Sequence, residues 1–168
     1  MHEYQVTISI REAVPADDAA LGRISDEVHK LHATAHPSLF RPVGSGNSLP
    51  QAYFDDLLAS GTSTILVADI EDTVVGFVIA NVFDAPPFEV LVPRRIVFID
   101  SMVVTAAQRG KGIGRALVDA TIAWGRSRGA AYLELTVWEF NRSARAFYEQ
   151  LGLATIHSTM HLDISAIA

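Results

Sequence analysis

Apolar and polar residues alternate from Thr7 to Arg11, the period-two pattern of a half-buried strand. From Pro15 the period changes. Pro15, Asp17 and Asp18 suit the first turn of a helix, and Leu21, Ile24, Val28 and Leu31 extend one apolar face until Pro37 ends it. Pro37 to Gly46 reads as loop. Ser48 then caps a short helix whose Tyr53, Phe54, Leu57 and Leu58 form a buried stripe, with Gly61 as its stop.

Two β-rich runs follow, Thr64 to Ile70 and Thr73 to Phe83, joined as a hairpin at Glu71 and Asp72. A proline-containing loop, Asp84 to Arg94, leads to the apolar run Ile96 to Val104. Beyond it, Ile113, Leu117, Ala120 and Trp124 fall at helical spacing, and Gly129 stops that helix. Ala131 to Trp138 is another strand, so strand, helix and strand make a βαβ crossover with a parallel pair. Asn141 caps a final helix with Ala144, Phe147, Tyr148 and Leu151 on one face, closed by Gly152. Ala154 to Ile164 alternates well enough for one long strand or a tight hairpin. The predicted order is β-α-α-β-β-β-α-β-α-β, an α/β (α+β) domain spanning 1–168.

At 168 residues the chain is long enough to bury most of its apolar surface. With 49% hydrophobic and 19% charged residues it reads as globular. No run approaches the roughly 18 apolar residues of a membrane span, and the first residues lack the pattern of a signal peptide. There is no cysteine, which removes disulfides, thiolate metal sites and a cysteine nucleophile. A cytoplasmic protein without membrane contact is the expectation. Residues 1–90 hold 4 basic and 13 acidic side chains (−9) and residues 91–168 hold 9 and 6 (+3), which sum to the net −6. Overall acidity argues against nucleic acid as the partner.

Chemistry concentrates at Gln108 to Leu117, Gln-Arg-Gly-Lys-Gly-Ile-Gly-Arg-Ala-Leu, between a strand and a helix and in the basic half. Alternating glycines let the backbone bend and approach a ligand, and the helix's first amides face an anion. Arg109, Lys111 and Arg115 add positive charge, so a bound pyrophosphate is the natural reading. Two common motifs fail. A Rossmann G-x-G-x-x-G would need glycine where Arg115 or Leu117 stands, and no Gly-Lys-Ser or Gly-Lys-Thr completes a P-loop.

Arg109 to Gly114 matches Q/R-x-x-G-x-G/A, and Asn141 to Gly152 matches N-x-x-A-x-x-F/L-Y-x-x-x-G at the right distance. On these two motifs and the element order, the chain from Thr7 to Ile164 resembles the GNAT superfamily of acetyl-CoA-dependent N-acetyltransferases. Leu153 departs from the family's usual phenylalanine, and the tail is short. The resemblance implies a mixed sheet of about six to seven strands flanked by about four helices. It also implies direct attack of an amine on the acetyl thioester, without an acyl-enzyme or a metal.

Carried over residue by residue, the resemblance gives the pyrophosphate to Arg109, Gly110, Lys111, Gly112, Ile113, Gly114 and Arg115. The pantetheine arm goes to the backbone of Met102, Val103 and Val104, the oxyanion to an amide near Met102 or Val103, and a further coenzyme contact to Asn141. Tyr148 takes the place of the general acid, since a phenol's pKa near 10 suits protonation of a departing thiolate. Asp100, and after it Glu134, are the candidate general bases; Glu134 shares a face with Thr136 and Trp138. Each residue also has a plain structural role open to it: helix cap for Asn141, interfacial aromatic for Tyr148, salt bridge for the carboxylates. A non-catalytic acyl-CoA-binding sensor module would keep the glycine loop without needing Tyr148. The acceptor, a primary amine on a small molecule or peptide, is not identified, and a homodimer is left open. His29, His32 and His36 share a helix face but lack zinc-site spacing. Phe40, Tyr53 and Phe54 fall in the family's variable acceptor region.

Overall fold

The computed structural model describes residues 7–42, 44 and 48–165. The chain divides into two compact units, Met1–Thr136 and Val137–Ala168. In the first, one sheet of five strands runs in the order β1-β2-β3-β4-β5. The strands are β1 (Ile8–Glu12), β2 (Ser63–Ile70), β3 (Thr73–Asp84), β4 (Arg95–Val104) and β5 (Tyr132–Leu135). β1 to β4 are antiparallel neighbours, and β5 lies parallel to β4 after the crossover through α3 (Ile113–Ser127). Helices α1 (Asp18–Ala35) and α2 (Gln51–Ala59) precede β2.

Alternation along the strands divides the core. Leu21 and Ile24 of α1 and Phe54 and Leu57 of α2 pack with Ile65, Val67, Phe77, Ile79 and Val103 on one face of the sheet. On the other, Trp124 of α3 packs with Ala80, Val82 and Val97. Two glycines set the closest approaches. A Cβ on Gly125 would stand 2.8 Å from Val97 Cβ, and one on Gly76 2.8 Å from the Val103 carbonyl oxygen. Larger residues there would push α3 off β4, or split β3 from β4.

The Glu71–Asp72 hairpin holds, with both residues in the left-handed region at φ +48° and +60°. Four expectations need correction. Ser48 does not cap α2: Pro50 does, and the Ser48 hydroxyl donates instead to Asp26 at 2.5 Å. The strand read as Ala131–Trp138 pairs only over Tyr132–Leu135, because the chain leaves the ladder after Ile99↔Leu135. The tail 154–164 forms no strand, since alternation needs a partner ladder and finds none among the described residues. The sheet therefore has five strands there rather than six to seven, without the final strand of the predicted order. The loop read at Pro37–Gly46 falls partly outside the described residues.

The second unit holds α4 (Arg142–Gln150), stopped at Gly152 in the left-handed conformation (φ +92°). No helix among the described residues is long and apolar enough to cross a membrane.

Where β1 leaves the sheet, Arg11 grips Asp17 in a fork of 2.8 and 3.0 Å and reaches Asp69 at 2.5 Å. Asp17 is buried and also accepts the Val14 amide at 2.8 Å. The guanidinium hydrogen bond holds Asp17's carboxyl below the usual carboxylate range, against the opposing pull of burial. A depressed carboxyl adds stability that is complete above its unfolded pKa and is lost as pH falls through the folded one. Asp17→Asn should therefore lower unfolding free energy by about 1–3 kcal/mol at pH 7. The gap to the unmodified protein should close in acid, as urea titrations at pH 7 and below pH 4 would show.

Candidate active site

The glycine loop begins where β4 ends. The Thr105 amide donates to the Val75 carbonyl at 2.9 Å, and the Ala106 amide donates to Glu27 on α1 at 3.1 Å, tying the loop's entry to two elements. Gly110 and Gly112 then take φ +77° and +83°, with no atom within 4 Å of where a Cβ would sit. The need for glycine is thus conformational, and the space outside the loop is open. Gly112 is the cap of α3, and the Ala116 amide donates to its carbonyl at 3.0 Å. That bond leaves the amides of Ile113, Gly114 and Arg115 without an acceptor inside the helix. Gly114, by contrast, lies within α3.

Around these amides the cations are exposed. Arg109 Nε donates to the Val104 carbonyl at 3.0 Å, Lys111 Nζ to Gln108 at 2.8 Å, and Arg115 lies 3.7 Å from Asp119. Amides, helix dipole and three cations suit a pyrophosphate-bearing ligand such as a coenzyme A.

One strand earlier, two irregularities coincide. The β4–β5 ladder ends at Ile99↔Leu135, while β4 runs on to Val104. Opposite β3, Ile99 pairs with Ala80 and Ser101 with Ile79, so Asp100 is the extra residue of a β-bulge. The bulge reverses which side chains face which layer: Val97 packs toward α3, whereas Val103 packs with α1 and α2. Met102 and Val104 are half-buried and Val103 is buried, and all three lie beyond the ladder's end. Backbone groups on an unpaired strand edge are able to bind an extended arm.

Asp100 is exposed at this fork, and its carboxylate accepts a hydrogen bond from the Tyr53 hydroxyl at 2.9 Å. Desolvation and then that bond push the Tyr53 phenol up to about 12. Glu134 stands differently. Arg94 donates to it at 2.6 Å and also lies over the Tyr132 ring, 5.5 Å from its centroid. The Arg94 guanidinium thus occupies Glu134, whereas the side-chain partner of Asp100 is a neutral hydroxyl. Thr136 and Trp138 lie beyond the end of β5.

In the second unit, Asn141 caps α4, its side-chain oxygen accepting the Ala144 amide at 3.2 Å. The Tyr148 ring meets Phe147 edge-on at 5.1 Å, and burial pushes its phenol up to about 12. On α1, the His29 ring contacts the Arg41 carbonyl at 2.8 Å, and the His32 ring lies 5.1 Å from that of Phe40. Burial, and then His29, hold His32 below its ordinary pKa. No group of three histidine or carboxylate side chains able to hold a metal forms among the described residues.

The Tyr53–Asp100 and Arg94–Glu134 contacts escaped the sequence reading. They join residues 47 and 40 positions apart, and no local pattern links them.

Comparison with known proteins identifies the class. Residues 26–153 match the acetyltransferase (GNAT) family. The chain belongs to that family and is an acyltransferase by class. It is 27% identical over 145 residues to the uncharacterized N-acetyltransferase YhfO of Bacillus subtilis, covering 86% of this chain and 89% of that one. It is 34% identical over 100 residues to the L-2,4-diaminobutyric acid acetyltransferase of Shouchella clausii, covering 60% of this chain and 48% of that protein. Among solved structures, a variant of the BH1408 protein of Bacillus halodurans superposes with a TM-score of 0.87 at 29% identity, covering 92% of this chain and 98% of that one. The fold is also that of the aminoglycoside N-acetyltransferase AAC(6')-Iy solved with CoA, with a TM-score of 0.68, 14% identity, and 97% and 98% of the two chains covered.

Proposed function

We propose that this protein moves an acetyl group from acetyl-CoA directly to a primary amine of a small molecule or peptide. One observation carries the reading: the sheet forks and bulges at Asp100, and the same strand runs on into the amides and cations of the glycine loop. Family membership supports it, and the relative named for L-2,4-diaminobutyric acid supports a small amine as acceptor. The family match, 26–153, also runs across the boundary between the two units, which favours reading 1–168 as one functional domain.

When bound, acetyl-CoA supplies a thioester carbonyl, whose C–S bond breaks as the new C–N bond forms. The amides of Gly110 to Arg115, with the side chain of Arg109, hold the pyrophosphate, while the Arg109 amide donates to the Ala106 carbonyl at 3.4 Å; the backbone of Met102 to Val104 orients the arm. An amide at Met102 or Val103 takes the negative charge that develops on the carbonyl oxygen. Asp100, directly or through water, accepts the proton that an arriving ammonium must lose before it attacks. Tyr148 donates its proton to the departing sulfur and is recharged by the second proton leaving nitrogen. One proton is released per turnover.

Acetyl-CoA at about 100 times its Kd should raise unfolding free energy by about 2.7 kcal/mol. ATP and NAD at the same concentration should not. A thermal melt unmoved by CoA and acetyl-CoA alike would defeat the reading.

A further inference from the structure

The strand carboxylates of the sheet are not alike. Asp69, Asp84 and Glu134 each have an arginine partner, namely Arg11, Arg95 and Arg94, whereas Glu12 at the end of β1 has no ion pair among the described residues. Asp100, at the bulge where β4 and β5 part, likewise has none: among the described residues no arginine, lysine or histidine pairs with it. Its neighbour is instead a neutral donor, the Tyr53 hydroxyl at 2.9 Å. A carboxylate can accept at about four lone-pair sites, and the phenol takes one.

This contact is not needed to seat α2. Phe54 and Leu57, buried beside it, dock the helix on the sheet, while Tyr53 is 39% exposed on its flank. What the contact does is join the helix to the bulge at the point where β4 and β5 part. Exposed and without a cationic partner, the Asp100 carboxylate keeps acceptor sites open to an ammonium and would recognise it by charge-assisted hydrogen bonds.

We infer that Tyr53 is a positioning residue which fixes Asp100 as the receptor for the acceptor's protonated amine, so that the enzyme selects amines arriving as cations. The inference rests on the acetyl-transfer reading above and adds the acceptor class: aliphatic, cationic primary amines over neutral, weakly basic ones. The proton that such an ammonium loses passes to Asp100 or to water held by it, and from there to bulk solvent.

The test is a double-mutant cycle on the intact chain, using Tyr53→Phe, which keeps the ring, and Asp100→Asn, which keeps the shape. Thiol release from acetyl-CoA is followed with the best acceptor of a panel of alkylamines, amino acids and peptide N-termini, and with aniline as the neutral comparator. Tyr53→Phe should raise KM for the cationic acceptor about five- to tenfold and leave KM for acetyl-CoA unchanged. Asp100→Asn should reduce the preference for the cationic amine over aniline at least tenfold. Adding Tyr53→Phe to Asp100→Asn should change nothing more, because the phenol acts through the carboxylate. Equal losses from Tyr53→Phe in both backgrounds, or none in the unmodified protein, would overturn the inference while leaving acetyl transfer standing. Failure of the unmodified protein to bind acetyl-CoA in calorimetry would overturn both.

Discussion

Replacing Tyr148 by phenylalanine is expected to lower kcat by about 10²-fold or more, within the range general acids contribute. The Kd for acetyl-CoA should be unchanged. Burial pushes this phenol up to about 12, so it stays protonated throughout the neutral range but is a weaker acid than an unshifted tyrosine, and the proposed donation to sulfur must be driven by the charge that develops on the departing thiolate. The direction of the shift also fixes a pH signature. Because the pKa is raised, the acid form persists until pH approaches 12, and the rate should show no fall from Tyr148 ionisation below about pH 11. The substitution removes one oxygen and keeps the ring, including its edge contact with Phe147 at 5.1 Å, so the fold should survive. Single-turnover thiol release beside calorimetric binding of acetyl-CoA separates the chemical step from binding. Unchanged turnover would assign proton delivery to another group or to water.

How much of this was legible in the sequence depended on the range of the interactions. Short periodicities carried far: the stripe through Ile113, Leu117 and Trp124 is buried on α3, and Leu21 and Ile24 are buried on α1. Asn141 caps α4 as its spacing predicts, and the glycine loop precedes α3. Errors gathered where a partner decides the outcome. Tail residues such as Ile156 and Leu162 alternate but remain 68% and 71% exposed, because a strand exists only against a ladder. Ser48 has the chemistry of a cap, yet Asp26 offers its hydroxyl a charged acceptor. In sequence Asp100 ranks only slightly ahead of Glu134. What separates them is a distant arginine on one and a distant tyrosine on the other. The bulge at Asp100 was invisible for the same reason: it is a mismatch of register between β3 and β4, a property of two strands together.

The glycines of the loop are likewise unequal, and this gives the second large expected effect. Gly110 and Gly112 sit at φ +77° and +83°, whereas Gly114 is an ordinary helical residue. An alanine forced into the left-handed region costs about 1–2 kcal/mol. The loop has open space beside both positions and will relax toward negative φ instead of bearing that strain. Relaxation turns the amides ahead of α3 away from the pyrophosphate, so the cost moves from stability to binding. Each of Gly110→Ala and Gly112→Ala should weaken acetyl-CoA binding about tenfold, and the double variant about a hundredfold, at 1.4 kcal/mol per factor of ten. Gly114→Ala, which asks for no change of backbone, should weaken it by no more than about threefold, while gaining helix propensity of about 0.8–1 kcal/mol. Calorimetric titration of the four variants with acetyl-CoA tests the ranking. If Gly114→Ala proved as damaging as Gly112→Ala, the loss would come from methyl groups crowding the ligand, and the conformational account of the loop would fall.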